Sequence, residues 1–577
     1  MKKHLLILSF LLGALMTQAA PRSLSEMMEA AKGVIKAPSA TTRGGSARMK
    51  VLQQGGQFTV VGYAKGGFAV IANDDRFNAV LGYSDTEFSP DDMSPGMRWW
   101  MNAADEAMQH SLATGAEIAS GAELRSAEYP EAVEQLMTTE WNQGAPYNNL
   151  VVERWGYDFP TGCVATAMAQ IMRYHEYPAK GKGSKLYRFT PATEGIGELR
   201  AFANFGQATY NYAEMIDRYA GNNYTPEQAN AVATLMFHCG VAVEMNYDLG
   251  GSGAYDNVAA KALEQYFGYS TKFYVRDVYT TRDWMNIIYE EISSGRPILY
   301  GGATPQFAGH AFVFDGYNAD GLVHVNWGWS GSGDGYFDVA ILDSGTGSYS
   351  EQQDMVIIHD ADQPEIPYTS QWGLLDWPLQ NVKGSFSVSL NGMSLTYSAS
   401  HLYNVDAEDF TGSMALVASP VSGGAPVILY EHDVVLTDMS TMQQYDNIGH
   451  LDGYAYGYGN TADISALPDG VYRVYLASKA TTETEWQPVR SNETVVNNYL
   501  LTVSGGAATV AEGDPGWTTG IENIGVSAAN GDGMVRVYTA DGVLVFSSKA
   551  DAFSLDDVPA HGILIVKRGA ETVKVAK

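Results

Sequence analysis

Two side chains suited to nucleophilic catalysis lie far apart in the sequence. Cys163 follows Gly162 at the start of a helical pattern that runs to about His175. A thiol at this position faces the free N–H groups and the positive end of the helix dipole, which favours the thiolate. His310 stands 147 residues further on, flanked by small residues at a predicted loop-to-strand entry. This order and separation are typical of a thiolate nucleophile and its general base.

Three further residues fit supporting roles around such a pair. Asn326 and Trp327 follow His310 by 16 and 17 residues, so the amide is suited to accept the imidazole N–H and the indole to shield that bond from water. Gln143 precedes Cys163 by 20 residues in a predicted loop. Its amide, with the N–H of Cys163, is suited to hold an oxyanion. Taken singly, these residues also fit structural roles: a buried cysteine, a turn histidine, a strand-end asparagine, a core tryptophan or a solvated loop glutamine.

The elements that must position these residues are helices followed by strands. Beyond the helix at Cys163, helical patterns cover 210–217, 226–247 and 254–267. From Pro297 onward the pattern changes to short strands with glycine-rich turns, at 298–300, 311–315, 322–327 and 335–339. Helices first and an antiparallel sheet second predict an α+β fold with a cleft between its two halves.

The N-terminal part of the chain predicts export and a small separate domain. Lys2 and Lys3 precede an apolar run at 5–16, and small residues follow at 17–20, as in a signal peptide. A membrane anchor is the alternative, although the run is short for a bilayer span. Helical periodicity at 24–36 and 95–114 and a β-hairpin at 57–63 and 67–72 follow. We therefore assign 1–20 as a signal peptide and 21–125 as a small α+β domain with a linker at 39–46.

After Pro364 the composition changes. Residues 366–520 hold four basic and sixteen acidic side chains, and short alternating strands such as 384–390 and 472–477 predict an Ig-like β-sandwich. The last stretch contains strand-like runs at 535–538, 542–546 and 563–567 and predicts a separate small β module. The predicted boundaries are 126–365 for the central unit, 366–519 for the sandwich and 520–577 for the terminal module.

Composition excludes several classes of function. The 577 residues include 35 basic and 65 acidic side chains, a net charge of −30, which repels phosphate backbones and anionic lipid surfaces. We therefore expect no nucleic-acid partner. We also expect no stable membrane insertion, because no other apolar run approaches about 18 residues. The two cysteines, Cys163 and Cys239, form at most one disulfide, and a bridge between them is an alternative that would abolish the nucleophile.

Four separated motifs make the sequence resemble the streptopain family of papain-like cysteine endopeptidases. They agree with the family in order and chemistry over about residues 127–365, and 21–125 resembles the family's propeptide domain. The motifs are Asn142-Gln143-Gly144, Thr161-Gly162-Cys163-Val164-Ala165-Thr166-Ala167 with the downstream Tyr174-His175-x-Tyr177-Pro178, Gly309-His310-Ala311, and Asn326-Trp327-Gly328-Trp329. The fold implied is a papain-like α+β catalytic domain, preceded by a small α+β propeptide and followed here by β-sandwich-type domains.

The resemblance implies a role for each candidate residue. Cys163 is implied as the nucleophile, His310 as general base and acid, and Gln143 as oxyanion donor, with Asn326 and Trp327 supporting the histidine. No cofactor or metal is implied. The reaction implied is hydrolysis of peptide bonds in proteins through an acyl-enzyme.

The family also implies a zymogen. Its own propeptide is then an intramolecular inhibitor that covers the cleft and keeps the histidine from its working position. The polar segment near Arg125 or Ser126 is the predicted processing junction. The partners implied are protein or peptide substrates with an apolar residue at the second position before the scissile bond, and 243–253 resembles the segment that helps to wall that pocket.

The residues after Pro364 have no counterpart in streptopain itself. The terminal block, with Val537-Tyr538-x-x-x-Gly542-x-Leu544-Val545 and Lys574-Val575-x-Lys577, resembles the C-terminal sorting domain of type IX secretion. A plain terminal β module is the alternative. The resemblance implies a secreted protein, with retention at the cell surface through this domain as one outcome.

Two other functions stay open at this point. One is an exported adhesin or binding protein in which the 366–520 sandwich acts and the peptidase fold is silent. The presence of Cys163, His310, Asn326 and Gln143 together argues against it, because a silent scaffold needs none of them. The other is acyl transfer or amide hydrolysis on peptidoglycan or a small molecule by the same Cys-His pair.

Overall fold

The computed structural model describes residues 21–38, 48–221, 223–304, 309–342, 353–377, 382–436 and 460–517, together with four strands after residue 533. The predicted signal peptide and the linker at 39–46 lie outside the described residues. The helices are α1 Leu24–Val34, α2 Pro95–Thr114, α3 Gly121–Leu124, α4 Asn149–Trp155, α5 Cys163–His175, α6 Pro226–Ala242, α7 Asp256–Ala262, which continues as a π-helical turn Leu263–Phe267, and α8 Thr281–Ser293.

Twelve strands belong to the N-terminal and central units. They are β1 Lys50–Gln54, β2 Phe58–Gly62, β3 Phe68–Ala72, β4 Val80–Ser84, β5 Lys185–Phe189, β6 Leu199–Ala203, β7 Ser270–Val275, β8 Ile298–Ala303, β9 Gly309–Tyr317, β10 Val323–Asn326, β11 Gly335–Phe337 and β12 Asp354–His359. The predicted hairpin is confirmed, since β2 and β3 pair antiparallel with Val60 opposite Val70. The helices predicted at 24–36 and 95–114 are confirmed as α1 and α2.

Ten of these strands form one antiparallel sheet that joins the two units. Its order is β1-β2-β3-β4-β11-β10-β9-β8-β12-β7. The join lies between β4 and β11, where Gly82 pairs with Phe337 and Tyr83 with Tyr336. The rings of Tyr83 and Tyr336 stack with their centroids 5.3 Å apart. The N-terminal unit therefore extends the sheet that carries His310 and Asn326.

Helix α5 is buried along most of its length. Its residues from Val164 to Met172 are all buried, because small and apolar side chains occupy every face of the helix apart from Thr166 and Gln170. The helix packs on β9 of the sheet and on α6. Cys163 at its first turn thus belongs to a helix that packs on the strand carrying His310, as the predicted α+β layout requires.

The helical predictions are wrong in two places, and they omit α3, α4 and α8. Only a 3-10 turn, Tyr212–Glu214, forms within 210–217, because the Tyr212 hydroxyl donates to the carbonyls of Tyr177 and Pro178 and ties this segment to another one. Helix α6 ends at Ala242 rather than 247, and Glu244 has a φ of +53°. Helix α8 was not predicted, although its N-cap Thr280 accepts a hydrogen bond from the Asp283 N–H.

The region after Pro364 is built of strands, as predicted. A six-stranded sheet has the order β20-β19-β22-β24-β25 with β23 on β22, a three-stranded sheet has the order β16-β17-β21, and β13-β18 and β14-β15 form pairs. The strands are β13 Trp372–Leu374, β14 Asp376–Trp377, β15 Val382–Lys383, β16 Ser385–Asn391, β17 Ser394–Ser400, β18 Leu402–Asn404, β19 Phe410–Pro420, β20 Val427–Leu436, β21 Asn460–Asp463, β22 Gly470–Ala480, β23 Gln487–Pro488, β24 Asn498–Ser504 and β25 Ala507–Glu512.

The two larger sheets contact each other through Phe386 of β16 and Tyr499 of β24. The centroids of the Phe386 and Tyr499 rings lie 5.7 Å apart, and the Tyr499 hydroxyl donates to the Phe386 carbonyl.

Near the C-terminus, four strands pair in the order β27-β26-β28-β29. They are β26 Met534–Thr539, β27 Leu544–Lys549, β28 Ile563–Arg568 and β29 Glu571–Ala576. Within the described ranges, none of the helices is long and apolar enough to cross a membrane.

Candidate active site

Cys163 begins α5, and Gly162 is the N-cap of that helix. Gly162 has a φ of +88°, a conformation that is strained for residues with a Cβ atom. A Cβ added there would lie 2.5 Å from the Sδ atom of Met245 and 3.1 Å from the Ser252 carbonyl oxygen. Glycine is therefore required by the backbone and by its neighbours, and the 243–253 segment lies directly against the start of the helix.

Burial raises the pKa of the Cys163 thiol to about 11, and the nearby Asp256 carboxyl adds to this effect. The backbone N–H groups of Ala311 in β9, Val164 and Cys163 itself act in the opposite direction and lower the pKa. The covered site therefore holds a neutral thiol at neutral pH.

His310 is the second residue of β9 and lies next to the Ala311 N–H that reaches the sulfur. The register places His310 opposite Gly302 and Ala311 opposite Gly301 of β8. The imidazole is 8% exposed, and its Nε2 atom has no hydrogen-bond partner among the described residues. Burial lowers the pKa of His310 to about 4, and a hydrogen bond with the Trp327 backbone raises it slightly. The imidazole is thus neutral, like the thiol.

The N-terminal unit covers His310. A Cβ added at Gly96 of α2 would lie 2.7 Å from His310 Cδ2, 2.8 Å from Trp327 Cε3 and 3.0 Å from Phe312 Cδ1. The Trp99 indole packs on Gly302, and its Nε1 donates to the Ala303 carbonyl at 3.0 Å. The backbone of helix α2 therefore lies directly against His310, and this contact buries the imidazole.

Asn326 and Trp327 lie beside His310, at the end of β10 and directly after it. The Trp327 indole Nε1 donates to the Gly333 carbonyl at 3.1 Å, and its ring packs on Phe312 and Phe337. The Asn326 amide donates to the Thr139 carbonyl at 2.7 Å and accepts from Gln170 and Gly328. In this covered state the imidazole donates its hydrogen bond to the Trp327 backbone, and the orienting role of Asn326 stays a prediction.

Gln143 lies in a loop whose main chain is tied to the approach to Cys163. Its carbonyl accepts from the Thr161 N–H at 3.0 Å, and its own N–H donates to Asn142 Oδ1 at 2.7 Å. The first of these bonds therefore ties the Gln143 loop to Thr161, two residues before the nucleophile. The oxyanion role of the Gln143 side chain stays a prediction.

Two buried carboxyl groups share a hydrogen bond behind the nucleophile. They are Asp256, the first residue of α7, and Asp354, the first of β12. Burial raises the pKa of Asp256 to about 6, and burial beside Asp256 raises the pKa of Asp354 well above its usual value. Gly301 lies against both carboxyls and pairs with Ala311. The pair therefore holds a proton near the strand that contacts the sulfur.

Sequence reasoning missed Gly96, Gln170 and the Asp256–Asp354 pair. Gln170 had a usable signal, because it lies seven residues after Cys163 on the same face of α5, among small and apolar residues. Nothing in the sequence marks Gly96, since its role depends on contacts with His310 and Trp327, which are distant in the chain.

The remaining candidates are structural. Cys163 and Cys239 are both free thiols, so the alternative of a bridge between them is wrong. His175 at the end of α5 pairs with Asp360, Nδ1 to Oδ2 2.9 Å. Over the described ranges, no group of three or more histidine, cysteine, aspartate or glutamate side chains is arranged to hold a metal ion.

Two family models match the chain. The model of the peptidase C10 family matches residues 141–337, which include Cys163, His310, Gln143 and Asn326. The model of the Spi protease inhibitor matches residues 19–108, which include α1, the first four strands and Gly96. The matches fall on the central unit and on the unit that covers it.

Similar proteins include two kinds of curated relative. The thiol protease/hemagglutinin PrtT of Porphyromonas gingivalis is 31% identical over 402 residues, which is 64% of this chain and 45% of PrtT. Streptopain of Streptococcus pyogenes is 30% identical over 326 residues, which is 52% of this chain and 80% of streptopain. The chain thus spans under half the length of PrtT and most of the length of streptopain.

Two solved structures from Prevotella intermedia are also similar. A fragment of prointerpain A is 42% identical, with a TM-score of 0.49 over 54% of this chain and 98% of that one. The active wild-type interpain A cysteine protease is 47% identical, with a TM-score of 0.37 over 40% of this chain and 96% of that one.

Proposed function

Since the chain belongs to the peptidase C10 family, the family of streptopain, we propose that it is a cysteine endopeptidase made as a zymogen. One observation carries the proposal. Helix α5, which begins with Cys163, packs on β9, which carries His310 as its second residue, while Gly96 covers the imidazole. A cysteine and a histidine that lie on neighbouring packed elements and are kept neutral under a separate unit are what a zymogen requires.

Catalysis begins when the covering unit leaves and water reaches the pair. Loss of burial lets the thiol proton pass to His310, because the helix dipole and the N–H donors at Cys163 then favour the thiolate. The sulfur attacks the peptide carbonyl, and the S–C bond forms as the oxygen takes the negative charge. Gln143 and the Cys163 N–H hold that oxyanion.

The acyl-enzyme forms when the C–N bond breaks and His310 gives its proton to the leaving amine. A water molecule then loses a proton to His310 and adds to the acyl carbon. The S–C bond breaks, the carboxylic acid leaves, and the thiol is restored. Asn326 and Trp327 keep the imidazole in place through both steps.

The substrates we propose are proteins and peptides with an apolar residue at the second position before the scissile bond. Met245 supports this choice, because its thioether lies against Gly162 at the entrance to the nucleophile helix. Methionine is flexible and apolar, so it accommodates different apolar side chains.

We propose that the protein is secreted through the signal peptide at 1–20, with retention at the cell surface through 520–577 as one outcome. The mature enzyme is released by cleavage near Arg125 or Ser126. Arg125 lies over the rings of Tyr289 and Tyr317, with 5.8 Å from Cζ to each centroid, and Glu128 beyond it is exposed.

The test is incubation of the signal-free chain under mild reductant, beside Cys163→Ala, followed by gel and mass spectrometry. We expect the wild type alone to lose a fragment that covers residues 21–125 and to gain casein hydrolysis. If the wild type stays intact, a trace of exogenous protease is added before casein is tested. A processed chain that cleaves cell-wall peptides and not casein would replace the endopeptidase assignment, and a chain inert to both would favour a binding protein.

A further inference from the structure

Gln170 is a buried amide on the helix of the nucleophile. It lies seven residues after Cys163 on α5 and is 0% exposed. Seven residues are nearly two helical turns, so the two side chains share a face. Burying an amide costs free energy unless each of its polar atoms has a hydrogen-bond partner. The partners of Gln170 therefore indicate its role.

The amide of Gln170 closes a ring of hydrogen bonds with two other residues. Gln170 Nε2 donates to Asn326 Oδ1 at 3.1 Å, and Asn326 Nδ2 donates to the Thr139 carbonyl at 2.7 Å. Thr139 Oγ1 then donates to Gln170 Oε1 at 2.9 Å, and the Trp141 N–H donates to the same oxygen at 3.3 Å. We call this closed set, Gln170, Asn326 and Thr139, the amide ring.

Each member of the amide ring belongs to a segment with a different catalytic candidate. Gln170 shares α5 with Cys163. Asn326 precedes Trp327, whose backbone hydrogen-bonds to the His310 ring. Thr139 and Trp141 lead directly into the loop of Gln143. One buried side chain therefore connects the helix of the nucleophile, the strand end beside the imidazole and the loop of the oxyanion donor.

We propose that Gln170 is a positioning residue of this peptidase, which sets the distances among the Cys163, His310 and Gln143 segments through the amide ring. The inference rests on the proposed function. It concerns the geometry of the reacting groups and not only the stability of the fold, because the amide ring crosses between the two halves of the central unit and holds no reacting atom itself.

Glutamine is required because the position needs a donor and an acceptor at once. An ionised glutamate accepts but does not donate, so it repels Asn326 Oδ1. A protonated glutamate has one O–H donor and one carbonyl acceptor, so it restores both bonds. Methionine has a similar shape and offers neither. The hydrogen-bond partners of Gln170 carry no titratable group, so a pH effect in the glutamate variant comes from the new carboxyl.

The experiment compares Gln170→Glu with the wild type in the full signal-free chain, processed by a trace of added protease so that self-activation is not limiting. At neutral pH we expect kcat to fall about 100-fold, the effect of misplacing reacting groups by about 1 Å, with KM nearly unchanged. On acidification we expect the variant to recover relative to the wild type, because burial raises the pKa of the new carboxyl into the working range. A purely structural residue gives no such recovery.

Gln353→Glu is the matched control. Gln353 is also 0% exposed, accepts from the Tyr300 hydroxyl at 2.6 Å and donates to the Leu342 carbonyl at 3.3 Å. We expect this variant to be less stable but to keep the wild-type kcat and pH profile per folded molecule.

Gln170→Met keeps the inference testable if the glutamate variant does not fold. It should lose kcat at every pH, without recovery in acid. The inference would be overturned if the folded Gln170 variants kept the wild-type kcat and pH profile. It would also be overturned if their loss of kcat per folded molecule were no larger than that of Gln353→Glu. A wild type without thiol-dependent proteolysis would instead refute the proposed function, so the two failures are distinguishable.

Discussion

The central unit has a neighbour at each side of its sheet, and the two contacts differ in chemistry. The N-terminal unit joins through strand pairing of β4 with β11 and through apolar contacts, with Gly96 against His310 and Trp327 and the Trp100 ring against Phe337. The β-sandwich joins through side chains at β7, the last strand of the same sheet. There Lys272 Nζ lies 2.7 Å from Asp406 Oδ2, and both side chains are 5% exposed.

The contact with the sandwich contains further buried polar groups. Gln371 Nε2 donates to the Phe273 carbonyl at 2.7 Å, and the Tyr279 hydroxyl donates to Gln371 Oε1 at 2.6 Å. Lys272 also donates to the Thr369 carbonyl and lies 5.0 Å from the centroid of the Tyr368 ring. A buried ion pair held by such a network is costly to break, because separation leaves one charge unpaired.

The difference in chemistry between the two contacts suits each of them to a different function. The N-terminal contact covers His310, the proposed catalytic base, and has to be given up if the zymogen is to be activated. It is made of a short strand edge, small residues and tryptophan rings. The sandwich contact lies away from the catalytic pair and is suited to be permanent. We therefore expect substitutions at the first contact to change activation and substitutions at the second to change stability.

The largest effect is expected from Lys272→Met. The substitution leaves the Asp406 carboxylate buried without its partner, which costs about 3–5 kcal/mol. Thermal unfolding of the processed enzyme should occur at a clearly lower temperature, while kcat per folded molecule stays the same. The double variant Lys272→Met/Asp406→Leu should recover most of the stability. Lost activity in a folded single variant would show that this contact also serves catalysis.

A smaller effect, on activation, is expected from Gly96→Ala. The new methyl group meets His310 and Trp327 at less than contact distance, and overpacking of this kind costs about 1–3 kcal/mol. The N-terminal unit should loosen, so that self-processing followed by gel becomes about 10-fold faster.

Gly33→Ala is the matched control for Gly96→Ala. Gly33 lies in α1 of the same unit, and an added Cβ there meets nothing within 4 Å. Since alanine favours a helix over glycine by about 1 kcal/mol, processing should stay the same or slow down. Equal acceleration in both variants would mean that the Gly96 contact is not what holds the cover.

The sequence predicted the local parts of the site and the family. The helix at Cys163 follows from its periodicity and from Gly162, and the motifs around Cys163, His310 and Asn326 supported a resemblance to the streptopain family that the comparisons confirm. The α+β class is confirmed as well, because the order of helices and strands is a local property of the chain.

The non-local pairings were not predictable from the sequence alone. Strands β4 and β11 lie about 250 residues apart, and nothing in Gly82 or Phe337 indicates the partner. The same holds for Lys272 and Asp406, which are separated by 134 residues. At 210–217 the local pattern suggested a helix, but hydrogen bonds from Tyr212 to a distant segment decided the conformation.

The next prediction is that acid loosens the cover. In the covered site the pKa of His310 is about 4 against an ordinary 6.5, so the covered form binds fewer protons between these values. Its stability is therefore full above pH 6.5 and is lost as the pH falls towards 4, by at most about 1.4 kcal/mol per pH unit. The raised pKa of Cys163, about 11 against 9, weakens the covered form only above pH 9.

Size-exclusion chromatography measures this effect on Cys163→Ala after cleavage by an added protease, as the fraction of the 21–125 fragment that stays bound at each pH. Adding His310→Gln should remove the acid sensitivity. His175→Gln should leave it unchanged, because burial lowers the pKa of His175 as well but its ring pairs with Asp360 within the central unit, Nδ1 to Oδ2 2.9 Å. Retention that is independent of pH in the Cys163→Ala chain would contradict the prediction.

The smallest effect is expected from Ser84→Ala, at the end of β4. The Ser84 hydroxyl donates to the Asp334 carbonyl at 2.6 Å, and loss of one such bond costs about 1 kcal/mol. Binding of the cleaved fragment should weaken about five-fold, less than in Gly96→Ala, because the strand pairing and the glycine contact remain. If Ser84→Ala instead weakened binding more than Gly96→Ala, side-chain hydrogen bonds would hold this cover as they hold the sandwich, and the two contacts would differ in position but not in kind.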